Sequence, residues 1–254
     1  MTPSRLAKYK ATLAYRQLDL TIITDHVRNS QNIAALLRTC DAVGVHSAHV
    51  VIPEDGFKEH KRTARGSQQW VNMVAHDTID SALKEAKTQG MQLVSANFSD
   101  KAIDFRELDY TLPTAIILGA EMHGVSAAAI AASDHQVVIP MLGMVHSLNV
   151  SVAAAIILLE AQRQRGLQGS YNTPQLVGLE YEQTLFRWSY PKISDFCLRY
   201  GLDYPAMAAD GSIVNLSQWY AQAKKEAQQK AQQGSASQHC VISSRASILS
   251  ISQH

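Results

Sequence analysis

The stretch that decides the fold is Ile139–Glu160, IPMLGMVHSLNVSVAAAIILLE. Val137, Val138 and Ile139 make a short apolar strand that runs into Pro140, and a loop around Gly143 follows. The polar triplet Ser147-Leu148-Asn149 then opens a nearly all-apolar run, Val150 to Leu159. Ser147 is the predicted N-cap, because a hydroxyl there accepts from the free N–H groups of the first turn. A helix that is apolar on every face should be buried all round. Polar groups at its mouth then need partners, since burying them unpaired is costly. Taken alone, the stretch reads as an ordinary capped strand–turn–helix.

Working outward, strand and helix signals alternate. Leu20 to Ile23, Ala48 to Ile52, Val71 to Ala75, Met91 to Ala96 and Thr114 to Leu118 read as strands. Asn29 to Val43 and Thr78 to Gln89 read as amphipathic helices stopped by Gly44 and Gly90, and Ser126 caps a short Ala-rich helix. With the strand before Pro140 this makes about six strands. Such alternation predicts an α/β fold: a mainly parallel sheet with helices on both faces. A ligand should then sit at the carboxyl ends of the strands. After Arg165, Gly166, Gly169, Ser170, Asn172 and Pro174 read as a linker. Helices are expected over Gln175–Tyr190, within Pro191–Tyr200 and over Trp219–Lys230. The Ser- and Gln-rich remainder reads as a poorly ordered tail. The expected divisions are a basic helical segment at 1–18, a main domain at 19–166, a helical extension at 167–232 and the tail at 233–254.

Composition bounds the partners. At 46% hydrophobic and 18% charged over 254 residues, the chain has ample core for a globular protein. The formal net charge of +1 names no partner by itself. The distribution says more: Arg5, Lys8, Lys10 and Arg16 precede the first acid, and Lys58, Lys61, Arg62 and Arg65 form a second basic cluster. Such clusters suit phosphates, although a solvated helix face is the commoner meaning of one charge run. Three scattered cysteines with no C-x-x-C pair argue against disulfides and zinc, and suit a reducing cytoplasm. No secretory signal and no membrane-length apolar run is evident.

Gly119-Ala-Glu-Met-His-Gly124-Val125-Ser126 follows a strand and approaches the phosphate-binding pattern G-x-x-x-x-G-K-[ST]. Val125 replaces the lysine, and the Glu121 carboxylate would repel a triphosphate. A less anionic ligand, such as adenosine, fits better; a plain turn with a solvated Glu is the simpler alternative. Asn32 and Arg38 lie six residues apart, about 600° of helical rotation, so they do not share a face. Arg38 interrupts an apolar stretch, and any burial would demand an acidic or phosphate partner. A structural salt bridge explains it as well as a functional role.

Together, three segments go further. The N-x-x-A-x-x-R-T helix at Asn32–Thr39, the LGAE-x-x-G loop at Leu118–Gly124 and IPM-x-G-x-x-x-SLNVSVA at Ile139–Ala153 resemble the signature motifs of the SpoU/TrmH (SPOUT) family. Its members are S-adenosylmethionine-dependent RNA ribose 2′-O-methyltransferases. The resemblance covers most of the chain, in order. The basic N-terminus, FRELDY at Phe105–Tyr110 and the helical C-terminal extension resemble the members that methylate guanosine 18 in the tRNA D-loop. The resemblance implies a deep trefoil knot toward the C-terminal end of the domain, which forms the cofactor pocket and pairs two chains into a homodimer. A ribosomal-RNA substrate, or a non-catalytic RNA-binding relative, is the alternative.

Carried over, the resemblance puts Ala96, Gly119, Ile139, Met141 and Leu148 at the S-adenosylmethionine pocket, largely through backbone groups. Arg38 matches the catalytic arginine, with Asn32, Glu121, Ser147 and Asn149 as polar companions; Ser147 and Asn149 could instead stabilise the turn. A guanidinium holds its proton above a pKa of about 12. Electrostatic stabilisation of the developing alkoxide is therefore easier for Arg38 than base catalysis. Arg5, Lys8, Arg16, Lys61 and Arg65 are expected on tRNA phosphates. Trp188, Tyr190 and Trp219 could stack bases, with core packing the commoner role for each. No metal and no membrane are called for, and no metal-ligand cluster is evident.

Overall fold

A computed structural model describes residues 1–52, 69–120 and 123–230. Two compact units emerge: Ala11–Gly178, and Met1–Lys10 with the chain from Leu179 onward.

The first unit is built on seven strands: β1 (Leu20–Asp25), β2 (Ser47–Val51), β3 (Asn72–His76), β4 (Gln92–Ala96), β5 (Ile103–Asp104), β6 (Thr114–Gly119) and β7 (His135–Val138). They form one sheet in the order β3-β2-β1-β6-β4-β7-β5, with every pairing parallel. The helix α1 (Pro3–Ala14) begins in the second unit and ends in the first, whose other helices are α2 (Ser30–Ala42), α3 (Ile79–Thr88), α4 (Ala127–Ala132) and α5 (Val150–Gln168). Alternation along the central strands feeds two cores. Leu20, Ile22, Ile116 and Leu118 pack with α2 and α5 on one face. Ile23, Ala115 and Ile117 pack with α3 and α4 on the other. The sheet is apolar on both faces because both are covered.

Most predicted elements are present. Three differences have physical reasons. β5 escapes the sequence reading because two residues carry no periodicity. The linker expected after Arg165 starts later, since α5 runs on to Gln168 and Gly169 caps it in the left-handed region. Arg165 itself is fully buried. It donates to the Tyr110 and Leu112 carbonyls (2.8 and 2.9 Å), to Gln17 (3.1 Å) and to the Asp19 carboxylate (2.5 Å). FRELDY serves the same core: Phe105, Leu108 and Tyr110 are buried beneath α5. α5 is also not buried all round, because Val152 and Leu159 stay 46% and 55% exposed.

The second unit contains α6 (Gly178–Ser189), α7 (Pro191–Tyr200) and a helix α8 at 216–230. Aromatic contacts hold it. Tyr9 meets Trp188 edge-on at 5.8 Å, and Phe186 stacks on Tyr204 at 4.7 Å. Trp188 is therefore a core residue and is not available to stack a base. The 233–254 tail lies outside the described residues. No described helix is long and apolar enough to cross a membrane.

Candidate functional site at the carboxyl ends of the strands

Strand register aligns the chain segments that carry the motifs. Leu118 pairs with Thr24 and with Ala96, Gly119 pairs with Asp25, and Ala96 pairs with Val137. Four strands thus end side by side. A cleft of about 150 Å³ opens there between the end of β4 and the turn after β7. Ala96, Ile139, Met141, Ser147 and Leu148 line it with Phe98 and Ile157. Four of the five residues expected at the cofactor pocket therefore share one wall. Asn97 is fixed beside them: Ser95 Oγ donates to its Oδ1 (2.9 Å), and its Nδ2 donates to Gln136 (3.2 Å).

The fifth, Gly119, ends β6, the strand paired with β4. A Cβ on it would sit 2.0 Å from the Gly124 carbonyl carbon and 2.2 Å from the Val125 nitrogen. The loop folds straight back, with Gly124 N–H donating to the Ala120 carbonyl at 2.8 Å. Gly119 is thus required by the tight return of this loop, and it follows Leu118, the partner of Ala96 on the cleft wall.

Ser147 is exposed at the cleft rim and is not the helix cap. Asn149 takes that place. Its Oδ1 accepts from the Ser151 N–H (2.9 Å) and hydroxyl (2.6 Å). Its Nδ2 donates to Asn32 Oδ1 at 3.2 Å. The first and third motifs therefore touch. The contact forms because α2 and α5 pack on the same face of the sheet. Asn32 is buried and Arg38, on the other side of α2, is exposed. Arg38 lines neither described cleft of this edge. Being exposed, it needs no structural salt bridge.

A second cleft of about 790 Å³ was not foreseen in the sequence. Asp25, His26, Arg28, Asn29, His123, Gly124 and Ser126 line it. Asp25 is buried at the end of β1; it accepts from the Ser126 N–H at 2.7 Å and lies 2.9 Å from His26 Nδ1. His26 adopts φ +59°, a conformation that costs a non-glycine residue and gathers at functional sites. An acid ending an apolar strand was the available signal. Glu121 lies outside the described residues, as do Lys61 and Arg65.

Two further expectations change. Arg16 is wholly buried, donating to the Val45 carbonyl at 3.0 Å and paired with Asp41, so it cannot reach a phosphate. Arg5 and Lys8 are exposed on α1. Distant side chains also assemble a possible ligand set where none was evident in sequence: His49, His76 and Glu85 converge on β2, β3 and α3.

Residues 19–159 match the model of the SpoU rRNA Methylase family, and 163–216 match the C-terminal SpoU rRNA methylase model. The chain belongs to the SpoU methylase family. Among its relatives is the tRNA (guanosine(18)-2′-O)-methyltransferase of Escherichia coli K12, 44% identical over 223 residues, spanning 87% of this chain and 97% of that protein. The crystal structure of the Aquifex aeolicus TrmH/SpoU tRNA modifying enzyme superposes with a TM-score of 0.69 at 40% identity, covering 75% of this chain and 97% of that one. The SpoU methyltransferase AviRb of Streptomyces viridochromogenes, solved with AdoMet, gives a TM-score of 0.53 at 28% identity over 59% and 62% of the two chains.

Proposed function

We propose that this SpoU-family chain transfers a methyl group from S-adenosylmethionine to the ribose 2′-oxygen of guanosine 18 in the tRNA D-loop. The observation that carries the reading is the Asn149–Asn32 contact, which joins the first and third family motifs beside a cleft lined by pocket residues of the third. The tRNA substrate follows the full-length relatives, whose matching region is almost their whole length.

The cleft residues fit the cofactor's chemistry. Ala96, Ile139, Met141, Leu148 and Ile157 offer an apolar wall for a purine, with backbone polar groups at its edge. Its volume has room for one end of such a ligand. Among the described residues, no lysine or arginine lines it to repel a sulfonium. When bound, the cofactor supplies a methyl group already activated on sulfur. The chain's own task is then placement and charge. Holding the acceptor oxygen in line supplies much of the rate. Arg38 keeps its charge and stabilises the oxyanion that develops on the 2′-oxygen, while the proton leaves to water or an RNA phosphate. Asn32 and Asn149 set the helix pair that carries it, and Ser147 and Glu121 complete the polar site. Arg5, Lys8, Lys61 and Arg65 hold backbone phosphates.

The segment from β6 to α5 forms the family's trefoil knot, and two chains pair through its helices. The exposed apolar residues Leu142, Met144 and Val145 of the turn and Val152 and Leu159 of α5 support a homodimer, because so many large apolar side chains near one another in sequence are normally covered. Light scattering should give twice the chain mass, with Leu159→Lys shifting it toward one.

The deciding experiment is tritium transfer from labelled S-adenosylmethionine to unmodified tRNA, with the product nucleotide mapped. Label at guanosine 18 supports the reading. Label in ribosomal RNA but not tRNA replaces the substrate, and failure to bind S-adenosylmethionine by calorimetry ends the enzymatic reading.

A further inference from the structure

We propose that His49, His76 and Glu85 form a binding site for a zinc-type divalent cation, separate from the methyl-transfer site. It lies at the β3 edge of the sheet, where β2 and β3 meet α3. One ligand atom from each residue lies within 4.8 Å of the others. His49 Nδ1 is 2.8 Å from His76 Nε2, which is 3.8 Å from Glu85 Oε2. Tetrahedral zinc, with bonds of about 2.05 Å, holds its ligand atoms about 3.3 Å apart, so these two gaps are each off by about half an ångström, and the third, within 4.8 Å, closes by a rotamer shift of the exposed Glu85 side chain.

The hydrogen bonds aim one ligand at that point. The Ser81 hydroxyl donates to the Thr78 carbonyl at 2.7 Å, so it has only a lone pair for His76 Nδ1, 3.3 Å away. His76 Nδ1 therefore carries the hydrogen, and in the neutral ring Nε2 presents a lone pair. Without a cation that lone pair accepts from His49 Nδ1–H at 2.8 Å, with the Glu85 carboxylate 3.8 Å away. A cation binding there takes the place of the His49 hydrogen, which moves to the other ring nitrogen, so that both imidazoles present lone pairs toward the carboxylate. A ligating histidine whose other nitrogen is tied down by an outer partner is the usual arrangement at zinc.

Both imidazoles are buried, at 2% and 7% exposure, while the Glu85 side chain is 42% exposed. An ion therefore has a way in, and a fourth position is left for water. Two nitrogens and one carboxylate oxygen are the ligand set of three-residue zinc sites. Here the ion would clip α3 to the two outermost strands on the β3 side.

The full-length protein, stripped by chelator dialysis, is titrated with Zn²⁺ by calorimetry. One ion per chain is expected, with affinity at least tenfold weaker in Glu85→Gln and in His76→Gln. Ser81→Ala should weaken it about tenfold while leaving all three ligands in place. Zn²⁺ should raise the melting temperature of the wild type but not of Glu85→Gln, whose surface position keeps the fold intact. No binding to the wild type, or equal binding to Glu85→Gln and His76→Gln, overturns the site and leaves a hydrogen-bonded histidine pair. Methyl transfer by the chelated protein is read separately and bears only on the proposed function.

Discussion

Asn149 donates its side-chain amide to the Asn32 side-chain oxygen at 3.2 Å across 117 residues of chain. The same side chain caps α5 through its oxygen. One amide thus joins two helices and starts one of them. Asn149→Ala should cost about 1–2 kcal/mol in chemical denaturation, the usual price of a lost cap with a lost contact added. Asn149→Asp keeps the acceptor for Ser151 but has no donor for Asn32. It should retain most stability and lose methyl transfer. Equal activity in Asn149→Asp and wild type would remove the contact from the mechanism.

Gly119→Ala should disable the second motif. The added Cβ would lie 2.0–2.2 Å from the backbone of Gly124 and Val125, where no flexible side chain can yield. Gly124→Ala meets nothing nearby and strains only its φ of +66°. The expected order in thermal melts is wild type, then Gly124→Ala lower by about 1 kcal/mol, then Gly119→Ala far lower.

Arg165→Met should be among the most damaging single changes in the first unit. It leaves Asp19 and the Tyr110 and Leu112 carbonyls without their shared donor. Removing one side of such a buried network costs about 3–5 kcal/mol, measurable by urea unfolding. Arg165→Lys should rescue little, because an ammonium cannot reproduce the planar fork.

The Cys40 thiol reports the integrity of the α2 core. Burial is the main cause that pushes its pKa from 9.0 up to about 12. The folded protein therefore keeps the thiol protonated where the unfolded chain ionises. Its stabilising contribution is complete below pH 9 and is lost as pH rises from 9 toward 12. Cys40 should resist alkylation at pH 8 in buffer and react once urea unfolds the chain. Fast native labelling at Cys40 would refute the buried assignment.

Arg38→Ala should leave stability within about 0.5 kcal/mol, as expected for an exposed side chain. It should lower kcat by about 10²–10³, the scale for losing one donor to a developing oxyanion. Arg38→Lys, which keeps charge but loses the fork, should recover only part. An unchanged kcat in Arg38→Ala would exclude it from the reaction.

Periodicity alone determined the α/β class, most strands and the helices α2, α3 and α7, because burying one face or both leaves a regular imprint on neighbouring residues. The three motifs were legible for the same reason: each is a short, continuous run. What joins them was not. Ser147 reads as the cap; only the geometry of the turn gives that place to Asn149. Gly119 reads as a ligand-wall glycine; only the structure shows that the backbone of Gly124 and Val125 leaves no space for a side chain there. Arg16 reads as a surface cation, yet Asp41 and Val45 enclose it. The His49–His76–Glu85 cluster has no spacing to read, since its members come from two strands and a helix. Local sequence carries what neighbours along the chain impose on each other; contacts between distant segments depend on how the sheet orders its strands, and that order is settled only when the whole core packs.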